Sequence, residues 1–497
     1  MGNIFSRLLP ARLTGMDKAV VGKAEPNKEK TGILITVAIF FDGTGNNRNN
    51  VAQRLIAEHN KLHPDDPVDQ DEGVAWSGSY DTYGKDKKGK PLNNSFASGY
   101  SNVSTLEKLN ILRDLTKKDV SVYIEGIGTE DDKADSSKIG GGLGLGDTGI
   151  KAKVIIGIGK IGESIATILE KIEDSFVEKI TIDVFGFSRG AAAARHFVSL
   201  KNDKRPLAAR MGAPQAEIEI KFVGVFDTVS SRGLGLVVGN DVNSLGLALG
   251  AIPKHMVHLT AGNEYRQNFS LTDVTSSLNA GVGYELTLPG VHSDIGGSYA
   301  AVEDEPRQLR PQDVPELVAQ GWYDFTENKK DIVQVPEEIY DPQTGAHLGT
   351  RYIPMAHRPE VLAGYQLIPL RIMVDAAGES GPGKMSLFPL SLEGRFEKYV
   401  LPPTHKLAQV QAQILAQAKQ HGHAGRHVLF FDGDPTPAFR TVPKPAFFEL
   451  PAGEARFVRH AYLHRSASTG IQGLNDGRLG MGERHKDDQP HRDIFTG

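Results

Sequence analysis

One serine in the 497-residue chain stands where a serine can become a nucleophile. Gly186-Phe187-Ser188-Arg189-Gly190 follows the apolar run Lys179–Phe185 (KITIDVF) and precedes the alanine-rich run from Ala191 to Leu200. The pentapeptide therefore occupies a strand–turn–helix junction. A sharp turn there exposes the hydroxyl and aims the next N–H, that of Arg189, at the charge developing on an attacked carbonyl oxygen. Glycines at 186 and 190 suit it, because side chains two residues to either side of the serine would strike the neighbouring strand and helix. The chemistry implied is acyl transfer through a serine ester.

Such a serine needs a base, and the base needs an orienting carboxylate. Asp227 follows the apolar run Glu217–Phe226 (EIEIKFVGVF) at once, and His292 follows the run 282–289, in Pro289-Gly290-Val291-His292-Ser293-Asp294. Three reactive residue types thus fall at the ends of three successive strands, in the order Ser, Asp, His. The bland readings are a helix-capping Asp227 and a structural His292. Asp241 is the reserve acid, and His255, His258 and His464 are the reserve bases. The loop after the first strand, Asp42-Gly43-Thr44-Gly45, offers the second oxyanion donor through the N–H of Gly43 or Thr44. Its likeness to a phosphatase aspartate motif fails, since Phe40 stands where the nucleophile would be.

Composition removes other chemistries. The chain has no cysteine, so thiolate catalysis, disulfides and thiolate-held metals are excluded. A formal charge of −5 argues against a nucleic-acid partner held through phosphates. Gly157-Ile158-Gly159-Lys160-Ile161-Gly162 has dinucleotide-loop spacing, but no adequate strand precedes it, and Asp183 lies inside a strand rather than at its end. Small residues on a helix packing face explain it better. His292 and Asp294 lack a third metal ligand nearby, and His421, His423 and His427 lie in a polar stretch. Neither a metal nor an organic cofactor is expected. Leu234–Ile252 is apolar and glycine-spaced. It reads either as a lid over an acyl chain, presenting Leu234, Leu236, Leu247 and Leu249, or as ordinary core helix.

Apolar β-branched runs at Ile33–Phe41, Val120–Ile127, Lys179–Phe185, Glu217–Phe226 and 282–289 predict strands. A helix capped by Ser104 and a long amphipathic helix through Ile158, Ile161, Ile165, Leu169 and Ile172 alternate with them. A mostly parallel α/β sheet follows. The expected organisation is a flexible lead at 1–31 and a catalytic core at 32–300. An insertion or cap spans 301–362, with a hairpin turn at Asp341–Gly345. The remainder of the core, with a helical region at 405–420, spans 363–469, and a mobile tail spans 470–497. The opening Met1-Gly2-Asn3-Ile4-Phe5-Ser6 fits a myristoylation pattern that is short and common by chance. It has no apolar region of the kind a secretory signal needs. No run reaches the roughly 18 apolar residues of a spanning helix.

Four motifs in this order, Phe40-Phe41-Asp42-Gly43-Thr44, Gly186-Phe187-Ser188-Arg189-Gly190-Ala191, Gly224-Val225-Phe226-Asp227-Thr228-Val229 and Pro289-Gly290-Val291-His292-Ser293-Asp294-Ile295-Gly296-Gly297, resemble the bacterial type VI secretion lipase effectors with a G-x-S-x-G phospholipase A site. The resemblance covers about residues 31–300 and extends at most to 375. It implies an α/β-hydrolase fold with an inserted cap or lid and a C-terminal extension, and a triad of Ser188, Asp227 and His292. It also implies cleavage of membrane glycerophospholipids, delivery from the producer's cytoplasm on a spike protein without a signal peptide, action in the periplasm of a target cell, and a cognate immunity protein. Two rival expectations are a soluble carboxylesterase or thioesterase, and a non-catalytic binding or scaffold protein on the same core.

Overall fold

The computed structural model describes residues 30–71, 73–136, 149–230, 241–325, 330–378, 398–421, 426–431, 446–467, 485–486 and 489–497. Eight strands form the central sheet: β1 (Thr31–Phe41), β2 (Asp119–Ile124), β3 (Ser175–Phe187), β4 (Glu217–Phe226), β5 (His255–Ala261), β6 (Gly283–Leu288), β10 (Arg426–Phe431) and β11 (Ala446–Glu449). Their spatial order is β11-β10-β6-β5-β4-β3-β1-β2, and every pair is parallel. A parallel sheet must be covered on both faces, which is why its strands read as continuous apolar runs. In β1, Ile35, Val37, Ile39 and Phe41 feed one apolar layer while Ala38 and Phe40 feed the other.

The first layer lies under α3 (Ile150–Lys171) and α4 (Arg189–Ser199). The second lies under α2 (Asn102–Leu109), α6 (Leu367–Ala377), α7 (Leu407–His421) and α8 (Ala452–Ala461). The cap of α2 is Ser101, not Ser104. The Ser101 Oγ accepts the Ser104 N–H at 3.0 Å, so Ser104 is already inside the first turn. Gly157 to Gly162 lie within α3, where a Cβ on Gly157 would come within 2.8 Å of Ile39. The motif is a packing face, not a phosphate loop. β5 is a strand that periodicity missed.

Residues 302–362 build a separate three-stranded antiparallel sheet of β7 (Val302–Gln308), β8 (Ile332–Tyr340) and β9 (His347–Leu362), in the order β7-β9-β8. The β8–β9 turn closes with Asp341 Oδ1 accepting the N–H groups of Gln343 and Thr344 at 2.8 and 2.9 Å, and Gly345 takes φ 69°. Two expectations need correction. Leu247 and Leu249 are buried in the first apolar layer, because the segment after Val242–Leu245 packs inward; they are core residues, not lid. Leu234 and Leu236 lie outside the described residues, as does most of the glycine-rich stretch 139–150. The expected mobile tail is folded at its end. Ile494–Phe495 pairs in parallel with Leu271–Thr272, since backbone groups beyond β5 are open to it.

No helix among the described residues is long and apolar enough to cross a membrane.

Candidate active site

The sheet's C-terminal edge collects the reactive groups, as crossover connections in parallel sheets require. Between β3 and α4, Ser188 adopts φ 59° and ψ −129°, a conformation that L residues hold only under constraint from their surroundings. The Ser188 N–H donates to Phe226 O at 3.0 Å, continuing the β3–β4 ladder one step past the strand ends. A Cβ on Gly186 would stand 2.6 Å from Gly190 O, and one on Gly190 would stand 2.2 Å from Asp42 O. Backbone, not a movable side chain, would be struck at both.

Asp227 leaves β4 with φ 40° and is fully buried. His292 opens the short helix α5 (His292–Gly296), whose start is fixed by Asp294 Oδ2 accepting the Val291 N–H at 2.9 Å. The His292 Nδ1–H donates to Asp227 Oδ2 at 2.5 Å, a bond that sets the ring's tautomer and leaves Nε2 for proton transfer. The ring packs between Phe187 and Phe269, with centroids 4.6 and 4.9 Å away. Among the described residues, no hydrogen bond joins the Ser188 hydroxyl to the ring. Such contacts commonly tighten only with substrate bound.

The expected oxyanion donors separate. The Gly43 N–H donates to Asp42 Oδ1 at 2.7 Å, so it is spent, and the expectation for Gly43 as donor is corrected. Its lack of a side chain has another use: a Cβ there would lie 2.5 Å from the Phe187 ring. Thr44 remains in place, its Oγ1 accepting the Arg189 Nε–H at 2.8 Å, which ties the first loop to the serine turn.

Four residues at the site were not foreseen. Arg492 donates from Nη1 to Asp227 Oδ1 and from Nη2 to Oδ2, both at 2.8 Å. Glu264, fully buried, is forked by Arg266 at 2.9 and 2.8 Å and accepts the His292 N–H at 3.2 Å and the Ser466 hydroxyl at 2.9 Å. Arg492 and Ser466 have no spacing to betray them. Glu264 and Arg266 follow directly on β5, and recognising that strand would have flagged them. Burial drives the Asp227 carboxyl upward, but the Arg492 charge and the bonds from His292 and Arg492 overcome it and hold it well below the usual range. Burial likewise opposes ionisation of Glu264, and Arg266 outweighs it, lowering the carboxyl to about 2. For His292, burial lowers the pKa, and the Asp227 bond offsets only part of that.

The reserve candidates do other work. His258 is fully buried, accepting the Thr228 N–H on Nε2 at 3.0 Å and donating to Glu285 at 2.8 Å. His464 pairs with Asp294 at 2.7 Å. His255 begins β5, at the opposite end from the site. Asp241 accepts the Ser244 hydroxyl at 2.7 Å.

The three strands are not successive as expected, since β5 intervenes between the one before Asp227 and the one before His292. A parallel sheet with a strained serine turn after β3, an aspartate after β4 and its histidine partner after β6 is an α/β-hydrolase-like fold. The whole chain aligns with a solved chain described as the Tle1 effector bound to the VgrG spike from the type 6 secretion system, at 23% identity, TM-score 0.53 and 98% coverage of both chains. A second solved chain, an uncharacterized protein from Pseudomonas aeruginosa, aligns at 17% identity and TM-score 0.42, over 78% of this chain and 51% of that one. The chain matches no curated protein. Residues 201–316 match the family model of the catalytic domain of Tle1-like phospholipase effectors of type VI secretion. That segment contains Asp227, Glu264 and His292. It supports the resemblance to the type VI secretion lipase effectors over the two motifs it spans, at Gly224–Val229 and Pro289–Gly297, and supports a hydrolase.

Proposed function

We propose that the chain is a serine ester hydrolase that cleaves acyl esters of membrane glycerophospholipids, with Ser188 as nucleophile, His292 as base and Asp227 as the orienting acid. The observation that carries this is the juxtaposition of Ser188, in its positive-φ turn, with the buried Asp227–His292 bond one strand away.

In this reading His292 Nε2 takes the Ser188 proton as Oγ attacks the ester carbonyl. The N–H groups of Arg189 and Thr44 receive the oxyanion. Collapse of the tetrahedral adduct breaks the ester C–O bond, and His292 returns the proton to the lysophospholipid alkoxide. Water then repeats the sequence on the acyl-enzyme, yielding a free fatty acid and restoring the serine. These steps call for no metal or organic cofactor.

The Tle1 relative is bound to its spike, and we extend to this chain a spike protein as delivery partner. An immunity protein in the producer and action in the target cell's periplasm complete the same proposal. A fluorophosphonate probe is expected to label wild type and to fail on Ser188→Ala. Lysophospholipid should then be released from liposomes by wild type alone. Absence of labelling in folded wild type overturns the serine mechanism. Turnover of soluble esters without any action on liposomes overturns the membrane substrate and leaves the soluble esterase.

A further inference from the structure

The bidentate contact from Arg492 arrives from the far end of the chain. The segment carrying it is fixed just after the arginine: Leu271 N–H donates to Asp493 O and Asp273 N–H to Phe495 O, each at 2.9 Å. The guanidinium itself makes four hydrogen bonds. Besides both Asp227 oxygens it donates from Nε to Phe269 O at 2.7 Å and from Nη1 to Ala261 O at 3.2 Å. It is 8% exposed, and Asp227 is not exposed at all. A planar fork locked by four acceptors fixes the carboxylate's orientation as one flexible ammonium could not.

The charges around His292 show what else it does. From the β4 end comes Asp227, from the β5 loop Glu264 and Arg266, from the C-terminal segment Arg492, and beside α5 stands the Asp294–His464 pair. Asp227 is neutralised by Arg492 and Glu264 by Arg266, so the resting wall is balanced. An imidazolium formed at His292 then meets a carboxylate already shared with a cation, and gains less from it than from a lone carboxylate.

We propose that Arg492 is a positioning residue for the Asp227–His292 pair: its fork holds the carboxylate in register and, by sharing its charge, moderates how strongly His292 holds a proton. The inference rests on the serine-hydrolase reading, with one readout independent of it. Arg492→Gln and Arg492→Lys are made in the full chain. Hydrolysis of a soluble p-nitrophenyl ester is followed across pH, and the His292 ring, assigned by its loss in His292→Asn, is titrated by NMR.

R492Q is expected to lose up to about a hundredfold in kcat through misorientation, with KM held within about twofold. Its acid limb and its ring titration should both move up by roughly one pH unit, because an unshared carboxylate now faces the imidazole. R492K keeps the charge, so its limb stays near wild type while kcat recovers only in part. A folded R492Q with wild-type kcat overturns the proposal. So does a lost kcat with neither limb nor ring titration displaced, which would mark a purely structural arginine. Should R492Q fail to fold, R492K decides: full kcat there overturns the fork's role, and reduced kcat supports it. If wild type shows no serine-dependent turnover, the hydrolase reading fails by itself, and the ring titrations still settle what Arg492 does to His292.

Discussion

Four donors converge on the Asp227 carboxylate: the Ala261 N–H, the His292 ring and both terminal nitrogens of Arg492. Replacing Asp227 by Asn therefore has two effects. It removes the acceptor that fixes the imidazole tautomer, with an expected loss in kcat on the order of 10⁴-fold. It also strands a buried guanidinium, costing about 3–5 kcal/mol of stability, which thermal melting of the variant reads out. The pH dependence follows from the same contacts. Both Asp227 and Glu264 have folded-state pKa values below their unfolded ones, Glu264 at about 2. Their stabilisation is complete above the unfolded values near 4 and is lost as pH falls through the folded ones. Melting temperature should fall steeply below about pH 4.5, where unfolded glutamate begins to take up protons that folded Glu264 refuses. Glu264→Gln should melt lower at neutral pH and lose less on acidification; an unchanged acid slope in that variant would show that Glu264 is not among the groups responsible.

At the scale of elements, strands whose faces are both apolar were legible from their runs, and so was the serine turn, because glycine spacing and strand–helix context coincide there. β5 was not, since His255, His258 and Thr260 break its apolar run; His258 can be buried because Glu285 on the adjacent β6 and the Thr228 N–H satisfy its two ring nitrogens. Asp183 in β3 is the converse case. Alternation places it on the face of Phe185 and Phe187, where burial raises its pKa to about 8 and Oδ1 finds no hydrogen-bond partner among the described residues. A raised carboxyl pKa stabilises the fold fully only below its unfolded value, and that contribution drains away as pH rises from about 4 towards 8. Asp183→Asn keeps the shape without the ionisation. It should melt higher than wild type at pH 8 and close to it at pH 4, as calorimetry at the two pH values would record. At the adjoining turn, Gly190→Ala drives a methyl into the Asp42 and Phe41 carbonyls, so its folded yield should drop with nothing gained in packing.

Taken as a whole molecule, the chain changes texture at residue 300 and then rejoins its own core. The break in composition there is real, because the antiparallel sheet of β7, β8 and β9 is a different architecture. The sequence beyond it nonetheless returns to the centre. β10 pairs with β6 and β11 with β10, extending the parallel sheet, while α6 and α7 complete one of its two apolar layers. Ser466 reaches Glu264, His464 reaches Asp294 and Arg492 reaches Asp227, contacts 202, 170 and 265 residues apart in sequence. Such pairings carry no periodicity and no local motif, so only the folded chain exhibits them. A chain ending at residue 300 keeps Ser188, Asp227 and His292 but leaves β6 an unpaired edge, strips one apolar layer of its α6 and α7 cover and takes the Arg492 fork from the Asp227 carboxylate. It should be insoluble, or soluble only as a species that a fluorophosphonate probe does not label. The full chain with residues 491–497 alone removed should keep the sheet's circular dichroism while losing most of its turnover. A soluble, labelled 1–300 fragment would mean that the C-terminal third decorates the catalytic unit rather than completing it.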